Sequence, residues 1–181
     1  MARTNRCVLN HKILYTMKNI TYLLFVTFAA MGIASCSSDP NDPQTLDGPD
    51  FSISELQGNW TATAINFSYS EANNVPEPDS AEIVGEGGSG EMTVQSNGQF
   101  TLTIDPFDRP AFNIRGRMFF EDGKFFAIQY DDDPQGDYEY YGASLIGDIF
   151  TINGGPGTAE YDLDLNGTDD PCNISARFIK S

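Results

Sequence analysis

Residues 58 to 69, GNWTATAINFSY, decide how this chain folds. Apolar and polar residues alternate along this stretch, and a period of two residues is typical of a β-strand. Successive side chains of a strand point to opposite faces. The alternation predicts two faces, one with Trp60, Ala62 and Ala64 and the other with Ile65, Phe67 and Tyr69. We therefore expect this stretch to be the first long strand of a β-rich domain.

Four predicted hairpins follow this strand. Each joins two alternating segments through a short turn that contains glycine, which tight hairpin turns favour. The hairpins cover residues 91–104, 111–130, 138–152 and 158–180, with turns at Asn97-Gly98, Asp122-Gly123, Gly147-Asp148 and Asn166-Gly167. No stretch has a useful helical period, although Ser52 or Ser54 is a suitable cap for a short helical turn. The sequence predicts an all-β, antiparallel, up-and-down meander of eight or nine strands, closed into a barrel or strongly curved.

The segment ELQGNWTATAI carries a motif known from one protein family. Gly58-Asn59-Trp60 is similar to the Gly-x-Trp pattern that opens the first strand of lipocalins. Over residues 54 to 180 the chain resembles the short lipocalin-like domains of bacterial lipoproteins. This resemblance implies an eight-stranded barrel whose closed end is plugged by Trp60, with Arg177 packed across the ring. The family's second motif, Thr-Asp-Tyr, is absent, and a barrel of this size either holds one small ligand or is filled by side chains.

The first 35 residues have the features of a lipoprotein signal peptide. A basic segment without acids precedes ITYLLFVTFAAMGIA (residues 20–34), an uncharged run too short for a comfortable transmembrane helix. The run ends in IASC, which resembles a bacterial lipobox and predicts cleavage before Cys36, with a lipid on its thiol. We expect Met17 to be the true start. Residues 36–50 are predicted to be the lipidated cysteine and a flexible tether, and residues 51–181 the barrel.

Charge supports export and excludes one class of partner. Four of the ten Lys and Arg precede Cys36 whereas all 26 Asp and Glu follow it, so six bases face 26 acids and the mature chain carries about −20. Such a field repels nucleic acid, which is therefore excluded as a partner. Ser37 after the lipidated cysteine favours the outer membrane, and SSDPND resembles the export signals of surface lipoproteins in the Bacteroidota. The predicted location is the outer membrane, at its periplasmic or cell-surface face.

Catalytic arrangements are scarce in this sequence. His11, the one histidine, lies in the signal region, so the mature chain has no Ser-His-Asp or Cys-His site and no histidine-bound zinc. Cys172 is expected to be a buried apolar residue rather than a reactive thiol, because no histidine can activate it. Acids stand beside aromatics in YDDDPQGDYEYY (residues 130–141), which leaves a glycan-acting hydrolase as an alternative. The sequence favours a protein that is not an enzyme.

Aromatic residues are dense between residues 119 and 141. Because adjacent residues of a strand face opposite ways, Phe119-Phe120 and Phe125-Phe126 place rings on both sides of a single-layer barrel. Either the chain covers the outer rings, for example with residues 70–90, or they form a patch that binds a glycan, a protein or a lipid. We favour cover by the chain itself. The candidate ligand or patch aromatics are Phe119, Phe125, Tyr130, Tyr138, Tyr140 and Tyr141.

The stretch YDLDLNGTDDP, residues 161 to 171, allows two interpretations. It matches a calcium loop of the D-x-D-x-N-G-x-x-D kind, with Asp162, Asp164, Asn166 and Asp170 as the candidate ligands. It also alternates, so a regular hairpin would turn Leu163 and Leu165 to the core. In an extended strand the first two aspartates lie about 7 Å apart, too far to share one ion without a bend. We favour the hairpin, so no cofactor is expected and calcium is the alternative.

These features predict a lipid-anchored lipoprotein whose barrel binds a small apolar ligand without catalysis. The alternative is a filled barrel that acts as an interaction or adhesion module through an exposed aromatic patch. An apolar cavity lined by Phe and Met would favour ligand binding. A solid interior with Tyr138, Tyr140 and Tyr141 exposed would favour the interaction module.

Overall fold

The computed structural model describes residues 44–69, 80–133 and 136–181, and these are almost entirely β-structure. A short 3-10 helix, Ile53–Leu56, lies between the first two strands. The strands are β1 (Gln44–Thr45), β2 (Gly58–Tyr69), β3 (Ser80–Glu82), β4 (Ser89–Val94), β5 (Gln99–Asp105), β6 (Phe112–Glu121), β7 (Phe125–Tyr130), β8 (Tyr138–Ile146), β9 (Ile149–Gly154), β10 (Ala159–Tyr161) and β11 (Asp170–Lys180). None of the helical structure in these ranges is long and apolar enough to span a bilayer.

Eight of the strands close into an antiparallel barrel. They pair in the order β2-β4-β5-β6-β7-β8-β9-β11, and β11 pairs with β2 to complete the ring. Closure removes the free edges that an open meander would expose. Three short strands add to the ring, because β1 pairs with β6, β3 with β2 and β10 with β11. The predicted all-β, up-and-down, lipocalin-like barrel is confirmed.

The two ends of the barrel differ in their connections. We call the end with the turns at residues 95–98, 122–123 and 147–148 the closed end. We call the opposite end, with the loop residues 106–111, 131–133, 136–137 and 162–169, the mouth. The predicted turn at Asp122-Gly123 is confirmed, since the two φ angles of 51° and 64° fit a type I′ turn. Short turns thus bring neighbouring strands together at one end, and longer loops surround the other.

A bulge in β2 corrects the predicted faces of this strand. The pairing of β2 with β11 skips Thr63, which has no opposite residue. One extra residue shifts the alternation by one position. Side chains after the bulge therefore point to the face opposite to the one that regular alternation predicts. The buried residues of β2 on both sides of the bulge all belong to the barrel core: Trp60, Ala62, Ile65 and Phe67. The expectation of Trp60 and Phe67 on opposite faces was wrong.

The segment before β2 packs against the barrel. Gln44–Thr45 pairs with the end of β6, next to the turn at residues 122–123. In the 3-10 helix, with Ser52 as its N-cap, Ile53 and Leu56 are fully buried. The expected tether over residues 36–50 is therefore too long, because the chain already joins the barrel at its first described residue. This junction lies at the closed end.

Aromatic rings fill the interior below the mouth. Phe150 lies among four of them, with ring centroids 6.1 Å away for Trp60 and Phe126, 6.2 Å for Phe51 and 6.3 Å for Phe178. Ring pairs at such distances contribute about 0.5–1.5 kcal/mol each beyond their area burial. The space left inside this part of the core is about 40 Å³, little more than one water molecule occupies. The interior of the barrel is nearly solid.

Candidate functional site

Trp60 plugs the closed end. Its side chain is fully buried, and the indole Nε1 donates a hydrogen bond to the carbonyl oxygen of Leu56 at 2.7 Å. Lys180 lies over the ring, with Nζ 5.2 Å from the centroid, and donates to the carbonyl oxygen of Glu55 at 3.0 Å. At Gly58, φ is 135° and an added Cβ would lie 3.2 Å from the Lys180 side chain. The cation covers the aromatic face and ties the last strand to the helix.

The position of Arg177 corrects the expectation drawn from the family resemblance. Arg177 is exposed, and its backbone lies opposite Ala64 of β2. Side chains alternate along β11, and because Phe178 is buried inside, Arg177 points outward. Lys180, two positions after Phe178, is on the inward side of β11 as well, and it pairs with Trp60 of β2. The expected kind of contact is present, but a different residue makes it.

The mouth encloses a cavity of about 550 Å³. Pockets for small molecules are usually between about 300 and 1,000 Å³. Ile114, Tyr130 and Ile174 form its floor, since they line both this cavity and the small space in the core beneath it. Phe67 and Phe112 form an aromatic part of the cavity wall. The mouth is therefore large enough for a small ligand, whereas the core is not.

The rim of this cavity is acidic. Its carboxylates are Asp132, Asp133, Glu139 and Glu160. Among the described residues, no Lys or Arg lines the cavity. Arg109, from a neighbouring loop, is held elsewhere, with its guanidinium 4.4 Å from the Tyr161 ring centroid and Nη1 donating to the carbonyl oxygen of Asp162 at 2.7 Å. The rim thus combines one sign of charge with an apolar floor.

A hydrogen-bond relay fixes Tyr130 in the floor. The Tyr141 hydroxyl donates to the carbonyl oxygen of Thr158 at 2.9 Å and lies 2.5 Å from the Tyr130 hydroxyl. Because a tyrosine has one hydroxyl proton, Tyr130 must be the donor to Tyr141. Burial, with the charges of Glu139 and Asp132, raises the pKa of Tyr130. Tyr130 therefore stays protonated and offers the cavity an acceptor only.

Tyr141 was a candidate ligand or patch aromatic, and the structure places it outside any exposed patch. It is 6% exposed, because it belongs to the inward phase of β8 and its hydroxyl is held in the relay. Burial raises its pKa as well. Tyr130 and Tyr141 thus belong to the barrel interior, apart from the other candidate aromatics.

The remaining aromatics form a cluster on the outside of the barrel. Phe119 is fully buried there, and Tyr138 packs edge-on against it at 5.3 Å. Phe125 and Tyr140 are 58% and 49% exposed, with ring centroids 6.1 Å apart. Hydrogen bonds from Tyr138 and Tyr140 hold the pKa of Glu121 below its usual value. We call Phe125, Tyr138 and Tyr140 the outer patch.

Residues 80–90 of the segment expected to cover the outer rings are not placed beside β6, the strand that carries Phe119. The described part of that segment, residues 80–90, includes β3, which pairs with β2. Residues 70–79 lie outside the described residues. Tyr138 provides the cover of Phe119, so both sequence interpretations hold in part: the chain covers one ring, and two other rings reach the solvent.

The fourth predicted hairpin is present, because β10 pairs with β11, but its strands are joined by a long loop instead of the predicted tight turn at Asn166-Gly167. β10 ends at Tyr161, and residues 162–169 form a loop without strand pairing. The chain bends at Leu165, where φ is 60°, so Leu165 is 61% exposed whereas Leu163 is buried. The predicted type I′ turn and the inward position of Leu165 were wrong. Alternation alone did not identify the bend.

Three carboxylates meet in this loop. Oxygens of Asp162, Asp164 and Asp170 lie within 4.8 Å of one another. Asp162 accepts the backbone N–H of Asn166 at 3.0 Å and of Gly167 at 2.9 Å. The side-chain oxygen of Asn166 accepts the N–H of Thr168 at 2.8 Å. The bend that calcium requires is thus present, and the three carboxylates are the ones that could hold such an ion.

Two weakly acidic groups border these carboxylates and remain neutral. Burial, a hydrogen bond to Asp170 and nearby acidic charges raise the pKa of Tyr69 to about 12. Burial also raises the pKa of the Cys172 thiol. Cys172 is fully buried, as expected from the sequence, and its raised pKa opposes a reactive thiolate.

A scan against protein-family models and searches of curated proteins and of solved structures found no match to this chain. The predicted signal segment and the lipidation site Cys36 lie outside the described residues. The mouth and the outer patch are therefore the candidate functional regions among the described residues.

Proposed function

We propose that this protein binds a small ligand with an apolar body in the mouth of its barrel, without catalysis, while a lipid on Cys36 holds it at the outer membrane. The observation that carries the proposal is the cavity of about 550 Å³ above an apolar floor. At about 25 cal/mol per Å² of apolar surface removed from water, a hydrophobic ligand gains several kcal/mol there.

The filled core supports the mouth as the site of this ligand. About 40 Å³ of free space beneath Ile114, Tyr130 and Ile174 is too small for any ligand of this class. The ligand therefore rests on these three side chains and reaches toward the rim. This differs from a ligand enclosed deep in the barrel, because Trp60 and its neighbouring rings already occupy that space.

The proposed anchor is supported by the sequence alone. The uncharged run and IASC precede Cys36, and only residues 37–43 separate that cysteine from β1. Seven residues span at most about 25 Å. The described chain after this linker joins the barrel at the closed end, which is the end opposite the mouth.

A substitution that fills the mouth tests the ligand site. Ala159 lines the cavity, whereas Ala111 is exposed at the same end and does not line it. We expect native mass spectrometry to show a co-purified ligand on the wild type and on Ala111→Phe, and none on Ala159→Phe. Equal urea midpoints of the three proteins would show that folding is retained. A ligand retained by Ala159→Phe would contradict the mouth as its site.

The anchor has its own test. Cells that express the protein are fed a radiolabelled fatty acid, and the wild type is expected to carry the label in the membrane fraction. Cys36→Ser should lose the label and leave the membrane fraction, whereas Cys172→Ser should keep both. Label retained by Cys36→Ser would contradict the lipidation site.

A second candidate function is an interaction or adhesion module that uses the outer patch. Exposed Phe125 and Tyr140 favour it, together with an adjoining groove of about 230 Å³ that these residues line with Lys124. Aromatic rings at such surfaces stack on glycans or insert into a partner protein. Replacing Phe125 and Tyr140 by alanine should then abolish adhesion and leave the ligand in the mouth bound. Loss of ligand with unchanged adhesion would exclude this use of the patch.

A further inference from the structure

The charged side chains that line the cavity all have one sign. Asp132, Asp133, Glu139 and Glu160 line the cavity beside its apolar floor. A ligand with a carboxylate would bring a fifth negative charge to this rim. Coulomb repulsion between like charges 4 Å apart is about 1 kcal/mol even in bulk water, and low-dielectric walls strengthen it. The rim therefore disfavours fatty acids and other organic anions.

No positive side chain is placed to reverse this field. All six Lys and Arg residues after Cys36 lie among the described residues. Two of them lie at the closed end, Lys124 and Lys180. Three lie on strands and point out of the barrel: Arg115, Arg117 and Arg177. The sixth, Arg109, contacts the Tyr161 ring and the Asp162 carbonyl oxygen. An anionic ligand in the mouth would have no cationic partner from these residues.

The floor of the cavity, like its rim, favours a ligand that is positively charged or donates hydrogen bonds. The proton of the Tyr130 hydroxyl is used on Tyr141, so Tyr130 can accept a hydrogen bond from a ligand but cannot donate one. The rings of Phe112 and of Tyr130 itself line the cavity, whereas Phe67 is 1% exposed and stacks on Tyr161. Aromatic faces attract cations by about 0.5–2 kcal/mol, more where the site excludes water. Donor groups and positive charge are favoured at both levels of the cavity.

From the rim, the relay and the rings together, we infer that the ligand is an organic cation: an amine or a quaternary ammonium group on an apolar body. This inference rests on the proposed mouth site and specifies its ligand class. The apolar body packs on Ile114 and Ile174, and the cationic group lies among the rim carboxylates and the rings.

Three probes with the same eight-carbon chain test this inference. Octyltrimethylammonium, 1-octanol and octanoate carry charges of +1, 0 and −1 at pH 7. In isothermal titration of the purified protein at low salt, we expect the cation to bind about tenfold more tightly than octanol and octanoate to bind most weakly. The preference should shrink at high salt, because screening weakens the rim field.

Variants locate the charge effect. Glu139→Gln should weaken binding of octyltrimethylammonium about threefold to fivefold and leave 1-octanol unchanged. Asp148→Asn removes a charge at the closed end, in the turn at residues 147–148, and should change neither affinity. Ala159→Phe should abolish binding of both probes.

Each failure points to a different conclusion. If 1-octanol or octanoate binds as tightly as the cation, and Ala159→Phe abolishes this binding, the cation preference is overturned and the mouth site stands. If none of the three probes binds the wild type, the proposed function fails together with the inference. If Asp148→Asn weakens cation binding as much as Glu139→Gln, the effect comes from net charge and the rim assignment is wrong.

Discussion

The closed end and the mouth are built from the same eight strands, and they differ in what fills them. At the closed end, Trp60 meets Phe150 and Phe51 meets Phe120, with little free space between them. At the mouth, a cavity of about 550 Å³ remains between acidic loops. A segment outside the ring adds to this filling, because Ile53 and Leu56 of the 3-10 helix are buried at the closed end.

This contrast separates stability from recognition. Burial of rings and a cation over Trp60 stabilise one end, where turns are short and backbone groups are paired. Exposed carboxylates around a half-open cavity contribute little to stability and set a field for a ligand instead. Substitutions at the two ends should therefore act on different measurements.

The largest expected effect is at the plug of the closed end. Trp60→Ala removes a fully buried ring and should lower the free energy of unfolding by about 3–5 kcal/mol in urea titrations. Phe107→Ala, at the mouth end, removes a ring that is 80% exposed and should change it by about 0.5 kcal/mol or less. Similar losses in the two variants would break the contrast between the ends.

A smaller effect is expected from the cation that covers this plug. Lys180→Ala removes both the cation–π contact with Trp60 and the hydrogen bond to the Glu55 carbonyl oxygen, so it should cost about 1.5 kcal/mol. Arg177→Ala removes an outward side chain of the same strand and should be nearly neutral. Chemical denaturation of the two variants would test the corrected assignment, which a larger loss for Arg177→Ala would contradict.

At the mouth, Asp162 is expected to matter through its backbone hydrogen bonds. Asp162→Ala leaves the N–H groups of Asn166 and Gly167 without this acceptor and should lower the free energy of unfolding by about 1 kcal/mol. Asp169→Ala, an exposed neighbour, is the control. Melts with chelator and with calcium should show the same loss. A loss confined to the calcium buffer would assign the three carboxylates to an ion instead.

The smallest predicted effect has the opposite sign. Leu165 has a positive φ, which is unfavourable for a leucine and more tolerable for asparagine. Leu165→Asn should therefore raise the free energy of unfolding by roughly 0.5 kcal/mol. The hairpin that alternation predicts would bury this side chain, so a clear loss of stability in Leu165→Asn would restore that interpretation. Leu163→Ala should destabilise the protein whether this stretch is a bent loop or a regular hairpin.

The sequence predicted well what depends on near neighbours in the chain. Alternation identified the strands, and Asp122-Gly123 identified a hairpin turn, because both follow from the conformations open to a few consecutive residues. The bulge at Thr63 and the cover of Trp60 by Lys180 were missed, since they depend on the register of β2 against β11. The sequence left the role of Tyr141 open between ligand and patch, because its hydrogen bond to Thr158 joins two segments that are distant in the chain.

The sequence by itself determined a β-barrel class and an acidic chain with a single histidine, His11, and it predicts a signal segment that includes this histidine and a lipid anchor at Cys36. Only the tertiary structure decided that one end is filled and the other is hollow. The floor of the mouth joins Ile114, Tyr130 and Ile174 from three different strands, and the rim adds loops between other strands. A cavity forms between side chains that are distant in sequence, so the local periodicity of the sequence does not predict it.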